Sequence, residues 1–521
     1  MPLTLVAGLE EAGVVAKSYR PVVRDQQFLL APDMREWLEA DHLVWQLLDI
    51  VAELDTSEFH RRSSRRRTVN SVAGQRGYDP DMLVTLLLYA YCVGLRSSRA
   101  IEKACRTDIA YRVVCANDIP DHTVIARFRA EYEEAFTALF SRVLGLCARA
   151  GMVKVGVVAL DGTKIAANAS MAANRTEATL RRMAEQAAGD IVAEAKATDE
   201  AEDRAADGDG DRTPESMRGA RRRETIREAL ASIEAERAER PSKEMRYSQR
   251  RLDAAQRAYD QLHEKLTTGW KAEQALLAEG GKLSGRPRSA PRDNKQIQVF
   301  ATRLETAKAA MAAKLAKEPV KKRNLTDVES RIMKTRKGFI QGYNAQLFVS
   351  EDHVIIACEL TDEPADTHQF APMINACTTE LDTLAAAGHP RTTGIATADN
   401  GYCSAANIDP ETTPGPDRLI AVVKDRHQRS DNPGNGPCTY TKPVFTTMAE
   451  RLKTPAGQAI YRRRGAIVEP VNGHIKDRRG LSRFSRRGLK ACAAELKLAA
   501  TATNILRYLT HNSTQTVPAT A

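Results

Sequence analysis

The chain has 521 residues, of which 42% are hydrophobic, and its 77 Lys and Arg against 67 Asp and Glu give a net charge of +10. This length allows two or three domains with hydrophobic cores, and the positive charge favours a nucleic acid or another polyanion as partner. No signal-peptide pattern and no apolar stretch as long as a membrane span occurs, so we expect a cytoplasmic protein without membrane contact. The nine cysteines include no C-x-x-C pair, which argues against a zinc site and a disulfide framework.

The first 150 residues show the apolar periodicity of helices. The run MLVTLLLYAYCVG after Pro80 predicts a buried helix that ends at Gly94. A longer helix is predicted from Asp121, with Arg127 and Arg129 near its start. Short helices that lead into such a helix resemble a helix-turn-helix arrangement, although many helical bundles share the pattern. We therefore predict an all-helical DNA-binding domain over residues 1–150, with Arg127 and Arg129 as DNA contacts.

Two acidic residues follow apolar runs typical of β-strands. The run VKVGVVALDGTKIAANAS, which starts at Val153, ends its apolar part at Asp161, and the run RTTGIATADNGYCS ends its apolar part at Asp399. The Asp161–Gly162 and Asn400–Gly401 pairs are typical of tight turns. The same positions would also fix a carboxylate at the end of a buried strand. The two interpretations do not exclude each other.

Residues 172–322 are rich in Ala, Glu, Arg and Lys and return to a helical period. Two heptad series, at 245–266 and 297–311, predict an antiparallel coiled-coil arm with its turn at 283–292. The acidic stretch 199–212 lacks apolar residues, and we expect it to be disordered. A further helix is predicted across 365–387, where Asp366 and His368 read as N-capping residues.

The segment YRRRGAIVEPVNGHIKDRRG, from Tyr461 to Gly480, contains Glu469 among several arginines. Glu469 is either a surface acid neutralised by its neighbours on a solvated helix, or a metal-binding carboxylate beside basic residues that hold a polyanion. Pro470 predicts that a helix kinks or begins at this point. Glu469 and Lys476 are two turns apart and would share a helix face.

The ordered set of these segments resembles bacterial insertion-sequence transposases with a D-D-E triad on an RNase H-like fold. The resemblance rests on ALDGTKIAANAS, ATADNGY, and Tyr461, Arg464, Glu469 and Lys476 in Y-x-x-R-x-x-x-x-E-x-x-x-x-x-x-K. The N-terminal segments YDPDMLVTLLLYAY, RSSRAIE and PDHTVIARFR and the later NLTDVESRIMKTRKGFIQGYNAQ add to it. The resemblance implies that Asp161, Asp399 and Glu469 form a catalytic two-metal site for Mg²⁺ or Mn²⁺. It also implies that Tyr461, Arg464 and Lys476 contact DNA, with Arg463 able to replace Arg464.

The resemblance implies an α/β fold: an RNase H-like mixed sheet flanked by helices, with an all-α N-terminal domain and a long helical insertion. The catalytic domain would comprise residues 151–171 and 323–512, the insertion 172–322, and a flexible tail 513–521. The expected partners are double-stranded element ends and target DNA, bound by a homodimer or higher oligomer in the bacterial cytoplasm, associated with the nucleoid. The role of the insertion stays open between gripping DNA and joining protomers.

The implied activity is metal-dependent cleavage of element ends and their transfer to target DNA. One alternative is a metal-dependent nuclease without strand transfer. Another is a non-catalytic DNA-binding protein derived from a transposase, although all three acids are present. A coiled-coil scaffold would leave the strand-end acids without a role.

Overall fold

The computed structural model describes residues 33–61, 77–186, 215–239, 243–283, 285, 287–316, 321–423 and 442–516. The acidic stretch 199–212, which the sequence predicts to be disordered, lies outside these residues, as does 517–521 of the predicted tail. Helices surround a mixed β-sheet, so the predicted α/β class is confirmed. The described cysteines are all free thiols. Within the described part of the chain, no helix has the length and apolar character needed to cross a membrane.

Helices build the N-terminal part of the chain. Those with complete bounds are α1 Leu43–Glu53, α2 Pro80–Cys92, α3 Ser98–Thr107, α4 Ile109–Val114, α5 His122–Glu131 and α6 Glu133–Arg149. Helix α2 starts where Asp79 accepts a hydrogen bond from the Asp81 amide and Pro80 takes the first helical position. Every residue of α2 from Leu83 to Cys92 is buried, which makes it the central helix of this part.

The sheet combines antiparallel and parallel strands. Its strands are β1 Val157–Ala166, β4 Arg331–Thr335, β5 Gly338–Val349, β6 Ile355–Thr361, β7 Ile395–Ala398 and β8 Asp417–Ile420, while β2 Asn174–Thr176 and β3 Lys322–Asn324 form a separate ribbon. Strand β5 pairs antiparallel with β1 on one side and with β4 and β6 on the other. Strand β7 pairs parallel with β1 and with β8. The central strand is therefore β1.

The pairing of β1 changes partner at the first candidate acid. The parallel ladder with β7 ends at the pair Leu160 and Ala398, so Asp161 and Asp399 both follow the last paired residues on neighbouring strands. Strand β1 itself continues to Ala166 because the long β5 keeps pairing with it. The predicted turn at Asp161 and Gly162 is thus wrong, and Asp161 lies inside the strand.

The predicted strand end at Asp399 is confirmed. Strand β7 ends at Ala398, and Asp399 then caps the 3₁₀ turn Asn400–Tyr402 by accepting a hydrogen bond from the Gly401 amide at 2.8 Å. The strand-end and turn interpretations hold together at this position. The carboxyl edge of the parallel ladder therefore carries two acids.

The helical insertion contains α7 Glu215–Glu239, α8 Lys243–Ala278 and α9 Lys295–Ala316. Helices α8 and α9 pack against each other. The β2–β3 ribbon pairs the two chain segments that flank the insertion. The buried Arg323 of β3 donates hydrogen bonds to Ser232 and Glu236 of α7. The heptad coiled coil stays a prediction.

The C-terminal helices complete the fold. They are α10 Phe370–Ala386, α11 Ala405–Ile408, α12 Pro443–Lys453, α13 Pro455–Gly473 and α14 Leu489–Thr516. Helix α14 packs against α2, α6 and β6. A single hydrophobic cluster contains Leu47, Phe136, Leu347 and Ile505, so the N-terminal helices and one face of the sheet share a core.

Candidate active site

Asp161 is a largely enclosed member of the predicted catalytic acids. Its Oδ2 accepts a hydrogen bond from Asn472 Nδ2 at 2.8 Å, and its Oδ1 lies 3.9 Å from Arg464 Nη1. Both partners belong to α13, which packs directly on β1. The Asp161 side chain is 21% exposed, which leaves an opening through which a ligand can reach it. Helix α13 therefore holds and orients this carboxylate.

The electrostatics of Asp161 reflect its surroundings. Burial raises the pKa of Asp161 to about 7; the charge of Arg464 opposes the shift, whereas Asp399 and Asp366 add to it. Burial also raises the pKa of Tyr402 well above its ordinary value, and the same three acids add to that shift. Asp161, Asp399 and Asp366 therefore interact electrostatically at this edge of the sheet.

Asp366 belongs to this group, although the sequence analysis interpreted it as a helix cap. Helix α10 begins at Phe370 after Gln369, without a side-chain cap, and His368 instead contacts Glu363. The capping prediction is therefore wrong for both Asp366 and His368. Asp366 Oδ1 accepts a hydrogen bond from Lys164 Nζ of β1 at 3.0 Å.

The helix that carries Glu469 has a proline inside it. Thr454 caps α13, which continues through Pro470 to Gly473 and passes into a π-helical turn at His474–Arg478. Pro470 has no N–H to donate to the carbonyl four residues earlier, that of Ala466. His353 Nε2 donates to this carbonyl instead, at 3.0 Å. The helix therefore neither ends nor begins at Pro470.

Glu469 lies on the exposed part of α13, one turn before Asn472. Residues three apart on a helix are neighbours, so Glu469 lies next to Asn472, the residue of α13 that contacts Asp161. Burial lowers the pKa of Lys476, and the nearby Asp161 opposes that shift. Lys476 therefore lies close to Asp161 as well.

The predicted DNA contacts differ in accessibility. Arg463 is exposed and pairs with Glu351, and Arg127 is exposed on α5. Arg464 is buried, and its guanidinium lies 5.9 Å from the Tyr461 ring centroid. Arg129 is also buried and donates to the Arg96 carbonyl at 2.8 Å. Burial makes Arg129 a structural residue of the helical part rather than a surface available to DNA.

The chemistry of the acids fits a divalent cation. Carboxylate oxygens are the ligands that Mg²⁺ and Mn²⁺ prefer, and a cation would offset both the burial of the Asp161 charge and the repulsion from Asp399 and Asp366, which together raise the pKa of Asp161. Among the described residues, Asp161, Asp399 and Glu469 do not bring their ligand atoms within 4.8 Å of one another, whereas two groups elsewhere do. They are His60 with Asp79 and Asp81, and Glu102 with Asp121 and His122. Both lie in the N-terminal helical part of the chain.

Two segments match family models of known proteins. Residues 32–131 match a transposase domain, DUF772, and residues 439–509 match a transposase DDE domain. The first match covers most of the N-terminal helices, and the second covers α12, α13 and most of α14, including Glu469. Asp161 and Asp399 lie outside both matches. No match was found among curated proteins or among solved structures.

The two matches indicate a transposase. Together, the DUF772 and DDE matches support a DDE transposase of a bacterial insertion sequence. They confirm the resemblance noted in the sequence.

Proposed function

We propose that the protein binds the ends of an insertion element and catalyses divalent-metal-dependent DNA cleavage and strand transfer. Asp161, Asp399 and Glu469 would hold two Mg²⁺ or Mn²⁺ ions. The main support is that the mostly buried Asp161 contacts α13, the helix that carries Glu469 within the segment matched to a transposase DDE domain. Asp399 follows the neighbouring strand at the same edge.

The strand arrangement supports an RNase H-like catalytic domain. Three antiparallel strands, β6, β5 and β1, are followed by β7 and β8, which run parallel to β1. Helices cover both faces, since β1 contributes to two hydrophobic clusters, one through Val157 and Ala159 and the other through Val158 and Leu160. In such a sheet the carboxyl edge of the parallel strands is a natural place for a site.

The side chains of α13 support the chemistry of the acids. Bound divalent ions would lower the pKa of an attacking water or 3′-hydroxyl and stabilise the leaving oxygen. Asn472 orients the Asp161 carboxylate, and Arg464 offsets its charge before DNA arrives. Lys476, near Asp161, would hold a DNA phosphate.

Cationic side chains gather next to this site, as binding to a phosphate backbone requires. Burial lowers the pKa of His474, and Arg507, Arg479, Arg478 and His353 lower it further. Two buried donors of Arg479, Nε and Nη1, have no hydrogen-bond partner among the residues that the structure describes. We propose that DNA lies along this surface, with Tyr461, Arg463 and Lys476 near the cleaved end and Arg127 on the N-terminal helices.

The test incubates the protein with DNA carrying the element ends, a target plasmid and Mg²⁺. Wild-type protein is compared with Asp161→Asn, Asp399→Asn and Glu469→Gln, and Glu450→Gln on the exposed part of α12 serves as the matched control. We expect joined products from the wild type and the control and neither cleavage nor joining from the three variants, with DNA binding retained.

The products also decide between the alternative functions. Nicked DNA without joined products would favour a nuclease, and binding without either product would favour a non-catalytic DNA-binding protein. Cleavage by any of the three variants at the wild-type rate would contradict the assignment of that acid.

A further inference from the structure

Asp366 lies against the strand that carries Asp161. It precedes α10, and its side chain is 23% exposed. Three donors converge on its Oδ1: Lys164 Nζ at 3.0 Å, Asn344 Nδ2 at 2.7 Å and Gln346 Nε2 at 2.9 Å. Since Asn344 lies opposite Lys164 and Gln346 lies opposite Gly162 in the β1–β5 ladder, the sheet itself fixes this oxygen.

The support behind these donors extends into the interior. The buried Tyr402 donates its hydroxyl to Gln346 Oε1, which leaves the Gln346 amide nitrogen to face Asp366. Asn344 and Gln346 are both buried polar residues on β5. A buried polar network of this kind costs stability unless its groups are satisfied, so its arrangement around one carboxylate calls for a role.

Two glycines allow Asp366 to reach the other acids. A Cβ at Gly162 would lie 2.6 Å from Gln346 Nε2 and closer still to Asp366 Oδ1, so only glycine fits next to Asp161 at this point. A Cβ at Gly401 would lie 2.9 Å from Asp399 Oδ1 and 3.3 Å from Asp366 Oδ2. Gly401 is thus bordered by oxygens of both Asp366 and Asp399.

The second oxygen of Asp366 is left for another ligand. Among the described residues, no donor contacts Oδ2, whereas Oδ1 is saturated. Two carboxylate oxygens that border one glycine repel each other unless a cation or a proton lies between them. Hard divalent cations bind oxygens arranged in this way.

We propose that Asp366 is a fourth carboxylate of the active site and contributes its Oδ2 to the divalent-cation site that it shares with Asp399. This inference rests on the proposed function. Lys164, Asn344 and Gln346 are positioning residues, because they act through the Asp366 carboxylate.

The test measures Mn²⁺ binding by titration calorimetry, without DNA, so that it does not depend on activity. Asp366→Asn keeps an oxygen that Lys164 and Gln346 can contact but removes the charge. We expect it to weaken Mn²⁺ binding about tenfold or more, whereas Asp382→Asn, which removes an exposed acid of the α10 helix that follows Asp366, leaves it unchanged. Asp161→Asn is measured alongside as the probe of the proposed function.

A second variant changes no carboxylate. Gly162→Ala would displace Asp366 and Gln346 through its added methyl group, and we expect a loss of Mn²⁺ affinity similar to that of Asp366→Asn. Gly77→Ala is the matched control, since a Cβ at Gly77 meets no atom within 4 Å. Circular dichroism and thermal melting establish that each variant is folded.

The Mn²⁺ affinities of these variants distinguish the role of Asp366 from the proposed function. If Asp366→Asn and Gly162→Ala bind Mn²⁺ as the wild type does while Asp161→Asn does not, the inference is overturned and the proposed function stands. If Asp161→Asn binds Mn²⁺ as tightly as the wild type, or if the wild type binds none, the cation site and the inference fall together.

Discussion

The two sides of the candidate active site are built in different ways. Asp161 lies inside β1, where the sheet register fixes its backbone and α13 covers its side chain. Glu469 lies on the exposed part of a helix that has a proline at the next position. The strand acid is therefore placed by hydrogen bonds of the sheet, whereas the placement of the helix acid depends on how α13 docks.

The turn between β5 and β6 supplies that docking. Its His353 adopts a left-handed backbone conformation, with φ of 64°, and donates to the Ala466 carbonyl left without a helical partner by Pro470. Its Glu351 accepts hydrogen bonds from the Val157 amide of β1 and from Arg463 of α13. The β5–β6 turn therefore connects α13 to β1. The difference between the strand acid Asp161 and the helix acid Glu469 can be tested by substitutions on either side.

The largest effect is expected on the strand side, from Asp161→Asn. Cleavage should fall by about 10³-fold or more, since the carboxylate ligand is lost. The same change should raise the melting temperature of the metal-free protein at pH 8, because the cost of burying the charge is removed.

The pH dependence of this gain follows from the pKa of Asp161. Because the folded-state pKa is raised to about 7 from 3.8, the stability that protonated Asp161 contributes is lost as pH rises through 7. The gain from Asp161→Asn should therefore be larger at pH 8 than at pH 5. A variant that is less stable than the wild type at pH 8 would contradict the burial of this charge.

On the helix side, Glu469→Gln should also reduce cleavage, by about 10²-fold or more, but without a gain in stability. Glu469 is exposed, and exposed substitutions change stability by about 0.5 kcal/mol or less. Thermal melting at pH 8 and cleavage of end-bearing DNA check the two parts. A stability gain equal to that of Asp161→Asn would mean that the two sides do not differ as described.

A smaller effect is expected from His353→Ala, which leaves the Ala466 carbonyl unpaired and loosens α13 on the sheet. We expect a loss of about 1 kcal/mol of stability and a fall in cleavage of about tenfold, because misplacement of a catalytic group is costly. Adding Pro470→Ala would restore an N–H for Ala466 and should recover much of the activity. His263→Ala in α8 is the control; absence of rescue would count against this account of the docking.

The smallest effect is expected from Asn472→Ala, which removes one hydrogen bond to Asp161 while Arg464 remains. Cleavage should fall about three- to tenfold, in keeping with one net hydrogen bond. The lost hydrogen bond to the charged form should also raise the pKa of Asp161 further, so Mn²⁺ binding should require a higher pH than in the wild type. An unchanged pH profile would show that Asn472 does not orient this carboxylate.

The sequence located the strand acids because apolar runs stop at them. Asp399 does end its strand, but Asp161 does not, because the length of β1 depends on pairing with β5, which lies about 180 residues later in the chain and leaves no local signal. The Asp161–Gly162 pair read as a turn for the same reason. The glycine is needed for the approach of Asp366, a contact that only the tertiary structure shows.

Asp366 was assigned to a helix cap because an acid before a helix most often caps it. The alternation of Asn344 and Gln346 in the β5 sequence was the available signal, since two polar residues on one face of a buried strand indicate a polar site. Pro470 correctly indicated that the helix lacks one backbone hydrogen bond. The residue that pairs with the free Ala466 carbonyl, His353, lies more than a hundred residues earlier, so the sequence did not show it. Arg129 carried no sequence feature that distinguished it from the exposed Arg127.

The central claim, that Asp161, Asp399 and Glu469 surround one divalent-cation site, is tested most directly by iron-directed backbone cleavage. Fe²⁺ with ascorbate and peroxide generates radicals that cut the chain next to the bound ion, and the fragments are mapped by mass spectrometry. We predict cuts near positions 161, 399 and 469 that Mg²⁺ suppresses. Cuts confined to the groups around His60 or His122 would contradict the claim.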